Sequence, residues 1–550
     1  MARSKKTPVR GKPPVRGNGA GKRDMAAVIL AAGLGKRMKS GLPKVMHEAA
    51  GLPMVAYPVQ AAFDAGASRV VVVVGHGRQL VEKFLTDRFG DRVSFAVQAE
   101  QLGTAHAVLQ AKQALAHFDG PILILYGDVP LVPADLLSDL ATTFRQSGAA
   151  LALATCELED PIGYGRILRD AKKKIIGIRE HRDCSKSELE IREVNPGLYI
   201  VDRAFLFRAL GNLSTGNAQG ELYLTDVVAA AAKKGGVAGV SADASMLRGV
   251  NDRAELARAD EAMRARITRK WMVQGVTLRD PGTTFIGPDV EIGVDTILGA
   301  GVHLRGGTKI GAGVQIDAGC IIVDTEIADR AVLLPYTIVT DSRVGTGAKL
   351  GPFAHIRPAS DIGPDAHVGN FVELKKTVLG RGSKANHLAY LGDGMVGADV
   401  NVGAGTIFCN YDGFGKWTTT LEDGCFIGSD SQLVAPIRIG KGAYVGTGST
   451  VTMDVPDGAL AIGRARQVNK EGYAEKVRER LRARKAEEAQ RKAAVAALVA
   501  NPALAGGAAP APAAPAKPAK AAAPARASAG SGSRTRPSPA AKKSGSRSRR

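Results

Sequence analysis

The chain has 550 residues, 45% hydrophobic and 23% charged, with 66 glycines and only 5% aromatics. That length excludes a single small module and implies three to four folded units, with a Gly-rich repetitive part among them. Of the formal charge of +21, eight Lys and Arg without an acid lie in residues 1–23 and ten without an acid in 501–550, leaving residues 24–500 at +3. The basic excess belongs to the ends, and the body carries none comparable to that of a nucleic-acid binder.

Cys156, Cys184, Cys320, Cys409 and Cys425 are odd in number, widely spaced and without a C-x-x-C pair for zinc or redox work. No stretch reaches the ~18 apolar residues that span a bilayer, and no apolar segment follows the basic N-terminus as in a secretory signal. A cytoplasmic protein in a reducing compartment is expected.

Residues 1–24 hold too few apolar side chains to offset the entropy of ordering them, and are expected to be a disordered basic extension. Apolar runs at 27–32, 70–74, 93–97 and 122–126 predict buried strands, and stretches of helical spacing at 54–65, 80–89 and 105–116 lie between them. This alternation predicts an α/β domain over 25–251 with a mostly parallel, Rossmann-like sheet, whose sites sit at the carboxyl ends of the strands. A charged, Ala-rich linker helix follows over 252–275.

From 276 to 469 the period changes to six. Ile286, Ile292, Leu298, Leu304, Ile310, Ile316 and Ile322 fall six apart, and the register resumes at Val344, Leu350, Ile356, Ile362, Val368 and Leu374. It returns at Val396, Val402 and Phe408, then at Ile427, Leu433, Ile439, Val445 and Val451. Neither a helix nor an ordinary strand keeps one aliphatic face at that period, whereas a parallel β-helix of hexapeptide repeats does. Breaks at 375–387 and 409–425 are expected to be loops leaving the coil, where chemistry tends to sit. A charged helix is expected over 470–500 and a disordered Ala/Pro/Lys-rich tail over 501–550.

The first strand runs into Gly33-Leu34-Gly35-Lys36-Arg37-Met38 and then Leu42-Pro43-Lys44. Such a turn lets backbone N–H groups approach phosphates, with Arg37 and Lys44 as cations for a triphosphate. It is neither a Walker loop nor a dinucleotide fingerprint. The fourth strand ends in Tyr126-Gly127-Asp128, a carboxylate placed either to hold Mg²⁺ or to cap a turn. In the repeat half, His387 sits among Lys384, Asn386 and Tyr390. An imidazole titrates near neutrality and suits an amine that must lose a proton as it attacks a thioester, although a lone His is more often structural, the role expected for His303, His355 and His367.

These motifs, with Gln98-Ala99-Glu100-Gln101-Leu102-Gly103-Thr104, Gly163-Tyr164-Gly165-Arg166 and Gly249-Val250-Asn251, occur in the order seen in sugar-phosphate nucleotidyltransferases. Together with the period-six half, residues 25–475 resemble the bifunctional N-acetylglucosamine-1-phosphate uridylyltransferase/glucosamine-1-phosphate N-acetyltransferase family. The resemblance implies a left-handed β-helix, a homotrimer whose acetyltransferase sites draw on neighbouring subunits, and glucosamine 1-phosphate, acetyl-CoA and UTP as substrates. It implies that Leu30, Ala31, Ala32, Gly33, Arg37 and Lys44 bind the nucleotide, and that Gln98, Gly103 and Thr104 read the uracil. By the same resemblance Tyr126 and Gly127 frame the substrate, Asp128 and Asn251 hold Mg²⁺, and Gly165, Glu180 and Asn195 hold the N-acetyl sugar.

For the second reaction the resemblance implies His387 as base, with Arg357, Lys375 and Tyr390 clamping the sugar phosphate. Asn401, Ala404, Asn410, Tyr411, Ser429, Thr447 and Arg464 match positions that bind glucosamine phosphate or acetyl-CoA. Four residues depart from the family pattern: Lys36 for Thr, Pro196 for Thr, Asn386 for Gly and Thr447 for Ala. Two rival readings are a nucleotidyltransferase whose β-helix serves only assembly, and a chromatin-like binder acting through its tails. In the second, association with nucleic acid is expected to be weak at most, salt-sensitive and confined to the ends.

Overall fold

The computed structural model of the chain describes residues 24–500. The expected disordered extension and Ala/Pro/Lys-rich tail lie outside these residues, apart from Asp24. Among the described residues, those up to 465 form one compact unit and those from 466 belong to another. In the second, the described part is a charged helix, Tyr473–Ala500, close to its expected bounds. Among the described residues, no helix is long and apolar enough to cross a membrane.

The first half is built on a ten-stranded sheet: β1 (Met25–Ala31), β2 (Ala67–Val74), β3 (Val93–Val97), β4 (Ile122–Tyr126), β5 (Leu151–Glu157), β6 (Gly165–Arg169), β7 (Ile175–Arg179), β8 (Glu193–Asn195), β9 (Tyr199–Val201) and β10 (Val237–Ser241). Its order is β3-β2-β1-β4-β9-β5-β8-β6-β7, with β10 beside β5. The first four strands pair in parallel, as their near-continuous apolar runs predict for strands covered on both faces. Beyond β4 the sheet becomes mixed, because β9 runs antiparallel between β4 and β5 and β8 antiparallel between β5 and β6.

Helices α1 (Ala56–Asp64), α2 (Arg78–Phe89) and α3 (Thr104–Gln110) fill the crossovers. The last is shorter than its apolar spacing predicts, with turns taking over after Ala111. Helix α4 (Arg253–Val273) starts from an Asp252 cap whose carboxylate accepts the Glu255 N–H at 2.8 Å. At its far end Trp271 is buried in the core of the second half.

That second half is a left-handed parallel β-helix of three parallel sheets with eleven, ten and nine strands. Every hexad aliphatic named above is buried, each paired with its equivalent in a neighbouring coil. The break at 409–425 is an excursion, and the coil re-forms with Met395 beside Thr420 and Asn401 beside Phe426. The break at 375–387 is not a loop. Strands Glu373–Lys375, Val378–Leu379 and Lys384–His387 continue the coil through it, with Leu374 beside Leu391. The register slips because the corners at Asp324, Asp341, Lys376 and Asp393 are one residue short, so that Ile310 pairs with Ile327 and Ile362 with Leu379, seventeen residues on.

Candidate active sites

The parallel strands deliver the first cluster. Leu30, Ala31, Ala32 and Gly33 leave the end of β1, Gln98 follows β3, and Tyr126 and Asp128 end β4. These line a cleft of about 260 Å³ with Lys44, Gly103 and Thr104. Gly127 donates its N–H to the Leu30 carbonyl at 2.9 Å, which ties the end of β4 to that of β1. Gly103 has φ +109, and a Cβ there would run into the Leu222 carbonyl, so only glycine fits. Gln98 Nε2 donates to the Gly103 carbonyl at 3.2 Å, which ties the strand end to this turn. Gln101, not singled out from the sequence, also lines the cleft and donates to the Ala32 carbonyl at 2.8 Å. Arg37 is exposed on the one-turn helix Lys36–Met38 and does not line the cleft.

The Lys44 ammonium pairs with the Asp128 carboxylate and donates to Asn251 Oδ1 at 3.0 Å. Two hard oxygen donors from chain segments far apart thus converge on one cation. Glu255 fixes the second donor by accepting the Asn251 N–H at 2.6 Å. No group of three or more His, Cys, Asp or Glu able to hold a metal occurs among the described residues. A carboxylate plus one neutral oxygen is a donor set suited to Mg²⁺, which takes its remaining ligands from phosphates and water.

Beside this cleft a second group gathers. Gly165 on β6 pairs with Asn195 on β8, and a Cβ at Gly165 would lie 2.8 Å from the Ile178 side chain and 3.6 Å from Glu180 Oε2. Asn195 Nδ2 donates to the Tyr199 hydroxyl at 2.5 Å, and Glu180 Oε1 accepts from the Thr225 hydroxyl at 3.0 Å. Burial raises the Glu180 carboxyl above its usual range against the lowering effect of Thr225, with neighbouring acids adding to the rise. Burial, then the charges of Glu180 and Asp128, likewise raises the Tyr126 phenol, which places this ring between the two groups.

The prism carries the other cluster. His387 ends strand Lys384–His387 and, with its side chain exposed, sits opposite Asn370 one coil earlier. Its Nδ1 lies 2.7 Å from Asn370 Oδ1, an acceptor that favours the neutral tautomer with its N–H at Nδ1 and its Nε2 lone pair free. Asn386 beside it is part-buried, with an Oδ1 that finds no partner among the described residues. On the adjacent sheet, Arg357 Nη1 donates to Glu373 Oε1 at 2.7 Å, and Tyr390 pairs with Glu373 in register.

Lys375 lies against Lys416 from the excursion, a contact that holds the Lys375 ammonium below the usual lysine range. Lys416 is a cation the sequence reading missed. Its loop is pinned by Asp412, which accepts the Gly415 and Phe414 N–H groups and the Trp417 indole N–H, holding that carboxyl at about 2. Asn410 is buried and donates to Asp393 at 2.5 Å, whereas Tyr411 is exposed on the loop.

Ala404, Ser429, Thr447 and Arg464 occupy successive corner turns in one file. The Gly405 N–H donates to the His387 carbonyl at 3.4 Å, Asp430 N–H to Ala404 at 2.7 Å and Gly448 N–H to Ser429 at 2.8 Å. Arg464 comes next, its side chain 3.7 Å from where a Gly448 Cβ would lie. At the ~4.8 Å spacing of neighbouring strands, four steps from His387 to Arg464 span roughly 19 Å. Asn401 lies on the sheet beside Lys384, off this file.

Fold and clusters together define a nucleotidyltransferase joined to a hexapeptide-repeat transferase. The MobA-like NTP transferase domain matches residues 27–192 and the hexapeptide repeat of succinyl-transferase matches residues 418–453. The chain is 54% identical to the bifunctional protein GlmU of Sorangium cellulosum, over 83% of this chain and 98% of that protein. It is 50% identical to that of Anaeromyxobacter dehalogenans strain 2CP-C and 48% to that of Pelobacter propionicus, over 82% of this chain and 92% and 98% of theirs. The chain belongs to the bifunctional GlmU family. The expectation of two transferases in one chain is borne out.

Proposed function

We propose that the chain acetylates glucosamine 1-phosphate in the prism and then joins the product to UMP from UTP in the sheet half, releasing CoA and pyrophosphate. The observation that carries this is the coexistence of two separately built regions, one where Lys44, Asp128 and Asn251 converge and one on the prism where His387 meets Asn370, with Lys375 and Lys416 brought close on the adjacent sheet.

In the sheet half, a phosphate oxygen of N-acetylglucosamine 1-phosphate attacks the α-phosphorus of UTP, and the bond to the β-phosphate oxygen breaks. The protein supplies alignment and charge rather than a covalent partner. Gln98, Gly103 and Thr104 seat the base, Lys44 meets the phosphates, and Gly165, Glu180 and Asn195 hold the sugar. Asp128 and Asn251 would hold Mg²⁺, whose charge offsets that of the triphosphate.

In the prism the amine attacks the thioester carbonyl and the C–S bond breaks. His387 Nε2 takes the ammonium proton, which passes to the departing thiolate. Arg357, Lys375 and Lys416 bind the sugar phosphate, which relieves the repulsion between the two lysines. The file from Ala404 to Arg464 receives the CoA arm, with Arg464 at its phosphates.

A homotrimer is supported by a stack of half-exposed rings on one corner. Tyr336, Phe353 and Phe371 lie with successive centroids 5.3 Å apart, and exposed Leu388 follows beside His387. Bulky apolar groups leading to a site call for a neighbour to cover them. A cytoplasmic location fits the five cysteines, all unpaired.

Mass spectrometry of the purified chain with glucosamine 1-phosphate, acetyl-CoA, UTP and Mg²⁺ tests this. UDP-N-acetylglucosamine, CoA and pyrophosphate are expected. His387→Ala should stop acetylation only and Asp128→Ala uridylylation only; either change silencing both reactions in a folded protein refutes independent sites.

A further inference from the structure

Arg166, in the Gly163-Tyr164-Gly165-Arg166 motif, is a charged residue that neither reaction has used. It is 1% exposed, and among the described residues it has no carboxylate partner. Its Nη1 donates to the Pro161 carbonyl at 2.7 Å and to the Tyr164 carbonyl at 2.6 Å, Nη2 reaches the Leu189 carbonyl at 3.5 Å, and Nε has no partner. Taking an ionised group out of water without a counter-charge is costly, and a methionine would fill similar space without that cost. The charge is therefore retained for the carbonyls it holds.

Those carbonyls belong to two segments beside the sugar group. Pro161 and Tyr164 bound the turn that delivers Gly165, which the Tyr164 N–H closes onto the Pro161 carbonyl at 3.2 Å. Leu189 ends the short helix Lys186–Leu189, downstream of Glu180 and ahead of Asn195. Arg166 itself pairs with Arg179 on β7 and Val194 on β8, the residues next to Glu180 and Asn195. Alternation along β6 sends its side chain to the face opposite Gly165, behind the sugar rather than against it.

We propose that Arg166 is the positioning residue of the acceptor side. Its guanidinium fixes the 161–164 turn and the end of the 186–189 helix, and so sets the spacing of Gly165, Glu180 and Asn195 around the sugar of N-acetylglucosamine 1-phosphate. This rests on the reading of those three residues as the sugar site. A lysine can donate to Pro161 and Tyr164 but cannot span to Leu189 as the fork does.

The test is steady-state kinetics of Arg166→Met and Arg166→Lys in the full chain, with acetyl transfer as an internal control. Arg166→Met should raise KM for N-acetylglucosamine 1-phosphate by about 10- to 100-fold, the scale of an ångström-level misplacement, and leave KM for UTP and acetyl transfer unchanged. Arg166→Lys should fall between it and the parent. A KM for the sugar phosphate that does not move, or rises no more than that for UTP, overturns the proposal. If Arg166→Met fails to fold, Arg166→Lys decides on the same two constants. Asn195→Ala separates the assumptions: if it leaves KM for the sugar phosphate unchanged, the sugar-site reading fails, and if it raises KM while Arg166→Met does not, only the role of Arg166 fails.

Discussion

Asn370 offers the sharpest test of the proposed acetyltransferase chemistry, because its side chain touches His387, the proposed base. Its oxygen is 2.7 Å from His387 Nδ1, and the imidazole is otherwise exposed. A neutral hydrogen bond contributes about 1 kcal/mol net, so Asn370→Ala should cost roughly fivefold in kcat/KM for acetylation through the share of rings with the wrong tautomer or orientation. Removing the base itself should cost about 10²- to 10⁴-fold. Asn370→Asp tests the same contact with opposite polarity: a carboxylate against Nδ1 favours the imidazolium, which cannot accept the amine proton. The acid limb of the pH–rate profile should then move to higher pH, with the alkaline plateau kept. Rates from a thiol-release assay across pH 5–9 read both changes. An Asn370→Ala enzyme equal to the parent, together with an unshifted Asn370→Asp profile, would refute the orienting role, and a loss as deep as that of His387→Ala would mean that Asn370 does more than orient.

Two further outcomes follow from charge. Glu180 has its carboxyl raised by burial, so the fold favours its protonated form; the stability this contributes is complete below the ordinary glutamate range and is lost as pH rises through the raised value. Glu180→Gln keeps an acceptor for Thr225, and should raise Tm near neutral pH and flatten its decline across that window in calorimetry; an unchanged Tm–pH curve contradicts this. Deleting residues 1–23 and 501–550 should abolish any retention on DNA-cellulose at low salt and leave both turnovers intact, and a loss of turnover would show that the ends are not accessory.

The sequence revealed most where one rule repeats. Residues such as Leu304, Ile322 and Leu350 face inward in every coil, so period six marks the prism directly, and the uninterrupted apolar runs of β2 and β4 mark strands covered on both faces. What spacing could not show is a corner one residue shorter, as at Asp324 or Lys376, which reads in one dimension as a lost repeat. For that reason 375–387 looks like a loop although His387 stands on a strand. Asn370 and Lys416 escaped for a related reason. Each comes to its partner across coils, from a neighbour in space that carries no motif of its own. The uridylyl cleft was more legible, since Leu30 to Gly33, Gln98 and Asp128 follow strand ends, where the parallel topology gathers them.

The file of corner turns from His387 to Arg464 has a metrical consequence. Every coil adds the same increment of height, so the gap between His387 Nε2 and Arg464 is set in whole steps, like marks on a ruler. Removing or adding one complete coil between Ala404 and Thr447 would change that gap by a single mark without disturbing either end. If the file receives the CoA arm as proposed, thioesters would thus be sorted by the length of that arm rather than by the chemistry of the acyl group.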